Sequence, residues 1–185
     1  MKDPGVRVYS ISECVVFRST KGKWGALSNM APGFPVTVAN FEFRTIEALY
    51  QACRFPHRPD VQNLIAAQAS PMVAKKIARD HDLLSRHDWQ TLRTRVMRWC
   101  LRLKLSQHPQ SFGKILTATN NENIVELSPD DEFWGAKREG QLLKGKNVLG
   151  RLLMELRSQW NLGTHKEIFK NQPLISEILL FGKKV

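Results

Sequence analysis

Apolar residues alternate with polar ones in a few short stretches of this chain and recur every three to four positions in several longer ones. Residues 6–10 (Val-Arg-Val-Tyr-Ser) and 14–17 (Cys-Val-Val-Phe) are rich in β-branched and aromatic side chains and read as short strands. Residues 21–35 carry Gly22, Gly25, Pro32, Gly33 and Pro35 and read as an ordered loop. Residues 36–43 predict a hairpin turning near Ala39-Asn40. Helical spacing then dominates, over 46–55, 59–67, 71–80, 88–107 and 109–118. A strand is expected over 124–127, a polar loop over 128–146 and a strong helix over 147–160. The tail after Gly163 predicts one more short helix around 174–181. The pattern gives an α+β fold, a predominantly helical single domain with a small antiparallel sheet. Residues 1–160 are expected to form that domain, and 161–185 a C-terminal extension whose helix packs on it.

Composition narrows the class. The chain has 185 residues, is 42% hydrophobic and 24% charged, and carries 28 Lys plus Arg against 17 Asp plus Glu, a formal charge of +11. A chain of this length and composition buries enough apolar surface to need no staples, which argues against disorder, collagen-like repeats and a disulfide-dependent scaffold. Cys14, Cys53 and Cys100 are widely spaced and form no CxxC pair, and the histidines show neither HExxH nor finger spacing, so no metal site is expected. The start Lys2-Asp3-Pro4-Gly5 does not resemble a signal peptide and no apolar run reaches membrane length. The expectation is a soluble, cytoplasmic protein with reduced thiols. The positive charge points to an anionic partner, with a merely solubilising surface as the plainer explanation.

Two helices separate packing from chemistry. Over 88–107, Trp89, Leu92, Val96, Trp99, Cys100 and Leu103 share one face at 100° per residue. Arg95, Arg98 and Arg102 cluster on another face, either a solvated basic surface or a track for a nucleic-acid backbone. Arg93, Met97 and Lys104 lie along the edge of the apolar stripe, where a long basic side chain reaches towards a cleft. In the helix over 46–55, Glu47, Tyr50, Gln51 and Arg54 stand at i, i+3, i+4 and i+7, on one narrow face, while apolar residues fill the rest. A polar stripe on a helix apolar over most of its circumference faces a cleft or a satisfied network; the bland alternative is a solvent-facing stripe. Thr45 is the expected N-cap, which places Glu47 in the first turn, where the helix dipole favours its ionised form.

The segment Ser128-Pro-Asp-Asp-Glu-Phe-Trp-Gly-Ala-Lys137 sets three acids beside two aromatic residues and a lysine. Such a loop either holds a base or sugar against a carboxylate or is a solvated acidic turn anchored by Trp134. Gly140-Gln-Leu-Leu-Lys-Gly-Lys-Asn147 narrowly misses the phosphate-loop pattern, because Asn147 replaces the magnesium-binding hydroxyl residue. A nucleoside triphosphatase is therefore not expected, though Gly145, Lys146 and Asn147 open a helix and so offer N–H groups and a cation to a phosphate.

Taken in order, Trp24-Gly-Ala-Leu-Ser-Asn29, Thr45-Ile-Glu47-Ala-Leu-Tyr50-Gln51-Ala-Cys-Arg54-Phe55, Asp88-Trp89, Met97, Asp131-Glu-Phe-Trp134-Gly135 and Gly145-Lys-Asn147-Val-Leu-Gly150-Arg-Leu-Leu-Met154-Glu-Leu-Arg157 resemble the signature of the NADAR family, which includes the YbiA-like N-glycosidases. The resemblance runs from about residue 15 to 157. It implies a compact α+β domain that hydrolyses an N-glycosidic bond at a ribose C1′ without a cofactor. One branch of the family acts on ribosylamino-pyrimidine phosphates of riboflavin synthesis. Another removes ADP-ribose from guanine, often as the antitoxin to a DNA-modifying ADP-ribosyltransferase. The chain departs from the YbiA-type pattern in having Ala48 rather than His, Arg54 rather than Lys, and Ala136-Lys137 where small residues are usual. It thus looks more like the toxin-linked members, whose substrate is ADP-ribosylated DNA or nucleotide and whose functional counterpart is a cognate toxin.

On that resemblance, Glu47 and Asp131 are the expected carboxylates that stabilise an oxocarbenium-like ribosyl cation and position water. Lys137 would either protonate the leaving base or attack an opened ribose as an amine. Trp89 or Trp134 would stack on the base beside Tyr50, Asn29, Arg44 and Arg54 would bind ribose or phosphate, and the Lys146-Asn147 turn would cradle phosphate. A non-catalytic reader of ADP-ribose and a general DNA-binding protein are the competing classes.

Overall fold

The computed structural model describes residues 5–163 and 178–185. In chain order its elements are β1 (Arg7–Ser10), β2 (Cys14–Phe17), β3 (Val36–Val38), β4 (Phe41–Phe43), α1 (Ile46–Ala52), α2 (Pro59–Ala66), α3 (Pro71–Asp80), α4 (Trp89–Gln107), α5 (Lys114–Ala118), β5 (Asn123–Glu126), β6 (Lys137–Glu139), β7 (Leu142–Gly145), α6 (Val148–Asn161), β8 (Leu179–Leu180) and β9 (Lys183–Lys184). This is the α+β class that the patterning predicts. The chain divides into two units, the described residues of 1–28 with 108–170 and those of 29–107 with 171–185. No described helix is long and apolar enough to cross a membrane.

In the first unit, β1, β7 and β6 form an antiparallel sheet in that order, while β2 and β5 pair in parallel. Tyr9, Val125, Ala136 and Leu143 form a buried cluster, with Ile11, Cys14, Val16 and Leu127 packed against it. The β6–β7 hairpin stands where a polar loop is expected. Its strands read as polar because most of their side chains are exposed and only Leu143 and Gly145 of β7 are buried, so two inward positions carry the pairing with β1. Helix α6 lies close against β5. A Cβ on Gly150 would meet the Ile124 carbonyl oxygen at 2.1 Å, so only glycine permits that approach. At the other end of the helix, the buried Arg157 guanidinium donates to Thr119 Oγ1 (2.8 Å) and to the Glu122 carbonyl (2.8 Å), satisfying the turn after α5.

In the second unit, β3 and β4 form the expected hairpin, and Ala39 (φ 51°) and Asn40 (φ 70°) supply the left-handed turn that matches strand twist. Thr45 caps α1 as expected, its hydroxyl accepting from the Ala48 N–H at 3.3 Å. The helix ends at Ala52 rather than at 55. Arg54 N donates to the Gln51 carbonyl and Phe55 N to that of Ala52, a tightening of the chain just before Pro56. The predicted core stripe of α4 is buried throughout. Met97, Leu101, Arg102, Lys104 and Leu105 are buried as well, so the C-terminal half of this helix is enclosed on most sides. That corrects the reading of a basic surface track: Arg95 is exposed, Arg98 half-buried and Arg102 buried.

The tail also departs from expectation. Residues 174–177 of the predicted helix lie outside the described residues, and Leu179–Leu180 form a strand of the β8–β9 hairpin. Phe181 (φ 52°) and Gly182 (φ 77°) make its turn. The Phe181 ring lies 4.1 Å from Phe41 and 6.0 Å from Phe43 between centroids. Fully buried Gln62 of α2 donates to the Leu179 carbonyl and accepts from Phe181 N, each at 2.7 Å. Over 179–184 the chain is extended because the aromatic residue at the turn and the glutamine hold the strand pair in place.

Candidate functional site

The polar face of α1 is buried. Glu47, Tyr50, Gln51 and Arg54 are 4–8% exposed, which rules out a solvent-facing stripe. The spacing converts directly into a hydrogen-bonded row. Gln51 Nε2 donates to Glu47 Oε1 at 2.8 Å, and an Arg54 guanidinium nitrogen donates to Gln51 Oε1 at 3.3 Å. Arg54 is held further by Asp82 and by Ser85 Oγ (3.0 Å), and its guanidinium lies 5.6 Å from the Trp89 ring. A row oriented this way fixes the Glu47 carboxylate from one side, because the amide between the two charges has its donor end on the acid.

The loop before β3 and helix α4 supply the surroundings of that row. The Asn29 carbonyl accepts from Glu47 N at 3.0 Å, and Asn29 Nδ2 contacts Met97 Sδ at 3.1 Å. Asn29 Oδ1 is buried and has no hydrogen-bond partner among the described residues. The Tyr50 and Trp89 rings pack at 4.9 Å. Burial, and secondarily the negative charge of Glu47, push the Tyr50 phenol well above its ordinary value, so it remains a neutral donor. Burial likewise raises the Cys100 thiol, which contacts Cys53. Arg44 is exposed at the end of β4.

The sequence places Lys104 at the edge of a stripe; the structure buries it completely. Its ammonium lies 4.5 Å from the Phe34 ring, and burial pushes its pKa down to about 7. Arg93, Met97, Cys100 and Lys104 stand at i, i+4, i+7 and i+11, so Lys104 shares a face of α4 with Met97, which touches Asn29, and with Cys100, which feels the charge of Glu47. An amine that is partly neutral at physiological pH is a chemically distinct feature, and its signal in the sequence was the lysine between Leu103 and Leu105, both buried.

The acidic loop, in the first unit, is organised by its own aspartate. Asp131 Oδ1 accepts from Phe133 N (3.0 Å) and Trp134 N (2.9 Å), and Ser128 Oγ accepts from Asp131 N (3.1 Å). Trp134 is half-buried and packs edge-on to Phe133 at 5.0 Å. Lys137 pairs with Glu132 at 2.7 Å in an exposed ion pair, and that partner raises the lysine pKa. The Lys146-Asn147 turn differs most from expectation. The N–H groups of residues 146–149 donate to the carbonyls of Glu132, Gly135, Phe133 and Trp134 at 2.7–3.0 Å. Asn147, in left-handed conformation and fully buried, bonds β5 through both ends of its amide, to the Ile124 carbonyl (2.9 Å) and from Glu126 N (3.2 Å). The backbone donors and the amide are thus committed to the fold, and a phosphate role at this turn would fall to the Lys146 side chain.

The two roles open to Asp131 separate cleanly. Asp131→Asn keeps an acceptor for the two loop N–H groups and removes the charge, whereas Asp131→Ala removes both. If Asp131 chiefly shapes the loop, the Asn variant retains turnover within a few-fold and the Ala variant loses about 1–3 kcal/mol of stability. Thermal melts read beside single-turnover rates check this, and an Asn variant that folds but fails to turn over would assign the charge to chemistry. Among the described residues no group of three or more His, Cys, Asp or Glu is placed to hold a metal.

The NADAR domain description matches residues 16–161 of the chain. The chain is 37% identical over 146 residues to N-glycosidase YbiA of Escherichia coli (strain K12), covering 77% of this chain and 86% of that protein. It is 35% identical over 170 residues to the chloroplastic riboflavin biosynthesis protein PYRR of Zea mays, covering 85% of this chain and 26% of that longer protein. The NMR structure of the E. coli protein YbiA matches with a TM-score of 0.70 at 35% identity, over 82% of this chain and 86% of that one.

Proposed function

This chain belongs to the NADAR family, and from that premise we propose that it is a hydrolase of the N-glycosidic bond at a ribose C1′, acting on ADP-ribose attached to guanine in DNA. The observation that carries the reading is the buried Arg54–Gln51–Glu47 row, which fixes a carboxylate in the first turn of α1. Cleavage of such a bond develops positive charge on the ribose ring, and a fixed carboxylate favours that charge more strongly than it favours the neutral substrate. Tyr50 and Trp89 give the same row an aromatic side suited to a sugar or base. Arg54 Nε supplies a donor, Asn29 Oδ1 a buried acceptor for a ribose hydroxyl, and Arg44 an exposed cation.

Of the two lysines, the chemistry favours Lys104 for attack. Lys137 is held protonated by Glu132 and suits anion binding or proton donation. Once substrate reaches the buried amine, the neutral form of Lys104 has a lone pair to form a bond to C1′ as the C1′–N bond breaks and its electron pair leaves with the base, which takes up a proton. Opening of the ring then yields an imine and a hydroxyl at O4′, and water releases the sugar and restores the amine.

The DNA substrate is supported by the charge of +11 and, on the resemblance, by Ala48 and Arg54 where the YbiA-type pattern has His and Lys. The likeness to PYRR supports a second reading, an N-glycosidase of ribosylamino-pyrimidine phosphates. A mass-spectrometric release assay decides. Guanine-ADP-ribosylated oligonucleotide should yield ADP-ribose and restored guanine; cleavage of the pyrimidine phosphates alone would establish the second reading. Binding of ADP-ribose with no single-turnover product would leave a reader rather than an enzyme.

A further inference from the structure

With Arg102 of α4 buried and Arg98 half-buried, the excess positive charge has a different exposed concentration. From Cys14 to Phe41 the sequence contains no Asp or Glu, and Arg18, Lys21 and Lys23 fall within one loop of that stretch. All three are exposed, and none forms an ion pair among the described residues. Local hydrogen bonds turn the loop back on itself. Gly22 turns it at φ +82°, Gly25 N donates to the Gly22 carbonyl at 3.1 Å, and Lys21 N donates to Ser19 Oγ at 3.3 Å. A Cβ on Gly25 would stand 2.2 Å from the Thr20 carbonyl oxygen, so only glycine permits the chain to return this close to Thr20. At its end Trp24 is half-buried, and the Lys23 ammonium lies 4.5 Å from its ring.

Three cations without an ion pair and a partly open indole on one loop match what a single nucleic-acid strand requires: charge for the phosphates and a flat face for a base. We propose that the Arg18–Trp24 loop is a binding surface for single-stranded nucleic acid, with Trp24 stacking on a base while Arg18, Lys21 and Lys23 meet the neighbouring phosphates. The inference deepens the DNA reading above and rests on it for its biological purpose, but not for its test, which uses unmodified strands and needs no turnover. Trp24 merely anchoring the loop, with the Lys23 contact as an incidental surface pair, is the alternative that the variants must distinguish.

The experiment is fluorescence anisotropy of the full chain with a labelled unmodified oligothymidylate, its duplex with oligoadenylate, and anionic phospholipid vesicles in parallel. The single strand should bind most tightly. K21E/K23E should weaken it about 10-fold or more and flatten the dependence of log K on log salt by about 1.4, the share of two cations on a single strand. W24A should weaken binding by about 10-fold and W24F by less, since phenylalanine retains a stacking face. Both lysines are exposed, so the charge variant remains folded and informative even if W24A melts early. Unchanged strand affinity in K21E/K23E overturns the proposal, as does equal loss in W24A and W24F with no salt effect. Preference for duplex or for vesicles would also overturn it. Loss of strand binding in the variants with intact hydrolysis of a mononucleotide substrate supports it, and absence of hydrolysis in every form would bear on the catalytic reading alone.

Discussion

Glu47→Gln is expected to lower kcat on an N-ribosyl substrate by about 10²–10³-fold with KM nearly unchanged. The substitution is almost isosteric and leaves an oxygen at the position that accepts from Gln51 Nε2, so the row from Arg54 to residue 47 survives. What disappears is the negative charge, which matters only when the ribose becomes cationic. An effect confined to the transition state appears in kcat, whereas a lost substrate contact appears in KM. Glu47→Ala is expected to behave differently, since it leaves Gln51 Nε2 buried without its acceptor and lowers stability by about 1–3 kcal/mol as well. Gln51→Ala tests positioning: the carboxylate keeps its charge but loses its tether, and the rate should fall less than in Glu47→Gln. Full turnover by Glu47→Gln, with a melt like that of the parent, would remove Glu47 from the chemistry.

The site was legible in the sequence where a single helix determines it. Positions i, i+3, i+4 and i+7 on α1 become a physical row because those neighbours lie on one face whatever packs around them, and the apolar remainder of that helix pointed to a cleft or network while leaving a solvent-facing stripe as the alternative that the structure removes. The Ala39-Asn40 turn was readable for the same local reason. Features that depend on what a distant segment does were not. Arg102 looks like a surface residue on a helical wheel, but the wheel cannot register that Leu101 and Leu105 beside it are also covered. The sequence around residue 146 shows the open start of a helix; it does not show that the carbonyls of residues 132–135 have taken the N–H groups there. The β6–β7 hairpin was missed because its outward side chains are polar, and its pairing depends on β1, more than a hundred residues earlier in the chain. Lys104 falls between these cases. Its position at the stripe edge was visible, while its burial, from which its chemistry follows, arises from packing around all sides of α4.

Lys104→Met is expected to produce two changes that would not coincide by chance, one in stability and one in reaction. Burial holds the Lys104 ammonium at about 7, against 10.5 for a free lysine. Between those values the unfolded chain binds a proton at Lys104 that the folded chain does not, so the parent should gain stability relative to the variant as pH rises from about 7 to about 10.5. Below about 7 the folded protein carries the full cost of a buried cation. Methionine keeps a long unbranched stem against Phe34 without a charge, so the variant should be more stable than the parent at pH 6. That advantage should shrink as the pH approaches 10. The gap between 10.5 and about 7 sets its ceiling at about 5 kcal/mol. In reaction, the variant should lose about 10³-fold or more in turnover, because no other buried amine is available to form the bond to C1′ among the described residues. Borohydride added during turnover should reduce the parent's imine to a stable sugar adduct on Lys104, detectable by peptide mass, and should leave the variant unlabelled. Lys104→Arg serves as the complement, since it restores charge without a nucleophile and should be both unstable and inactive. A Met variant that turns over normally would confine Lys104 to packing, and a stability difference between parent and variant that is flat from pH 7 to 10 would refute the account of its burial from which the chemistry is drawn.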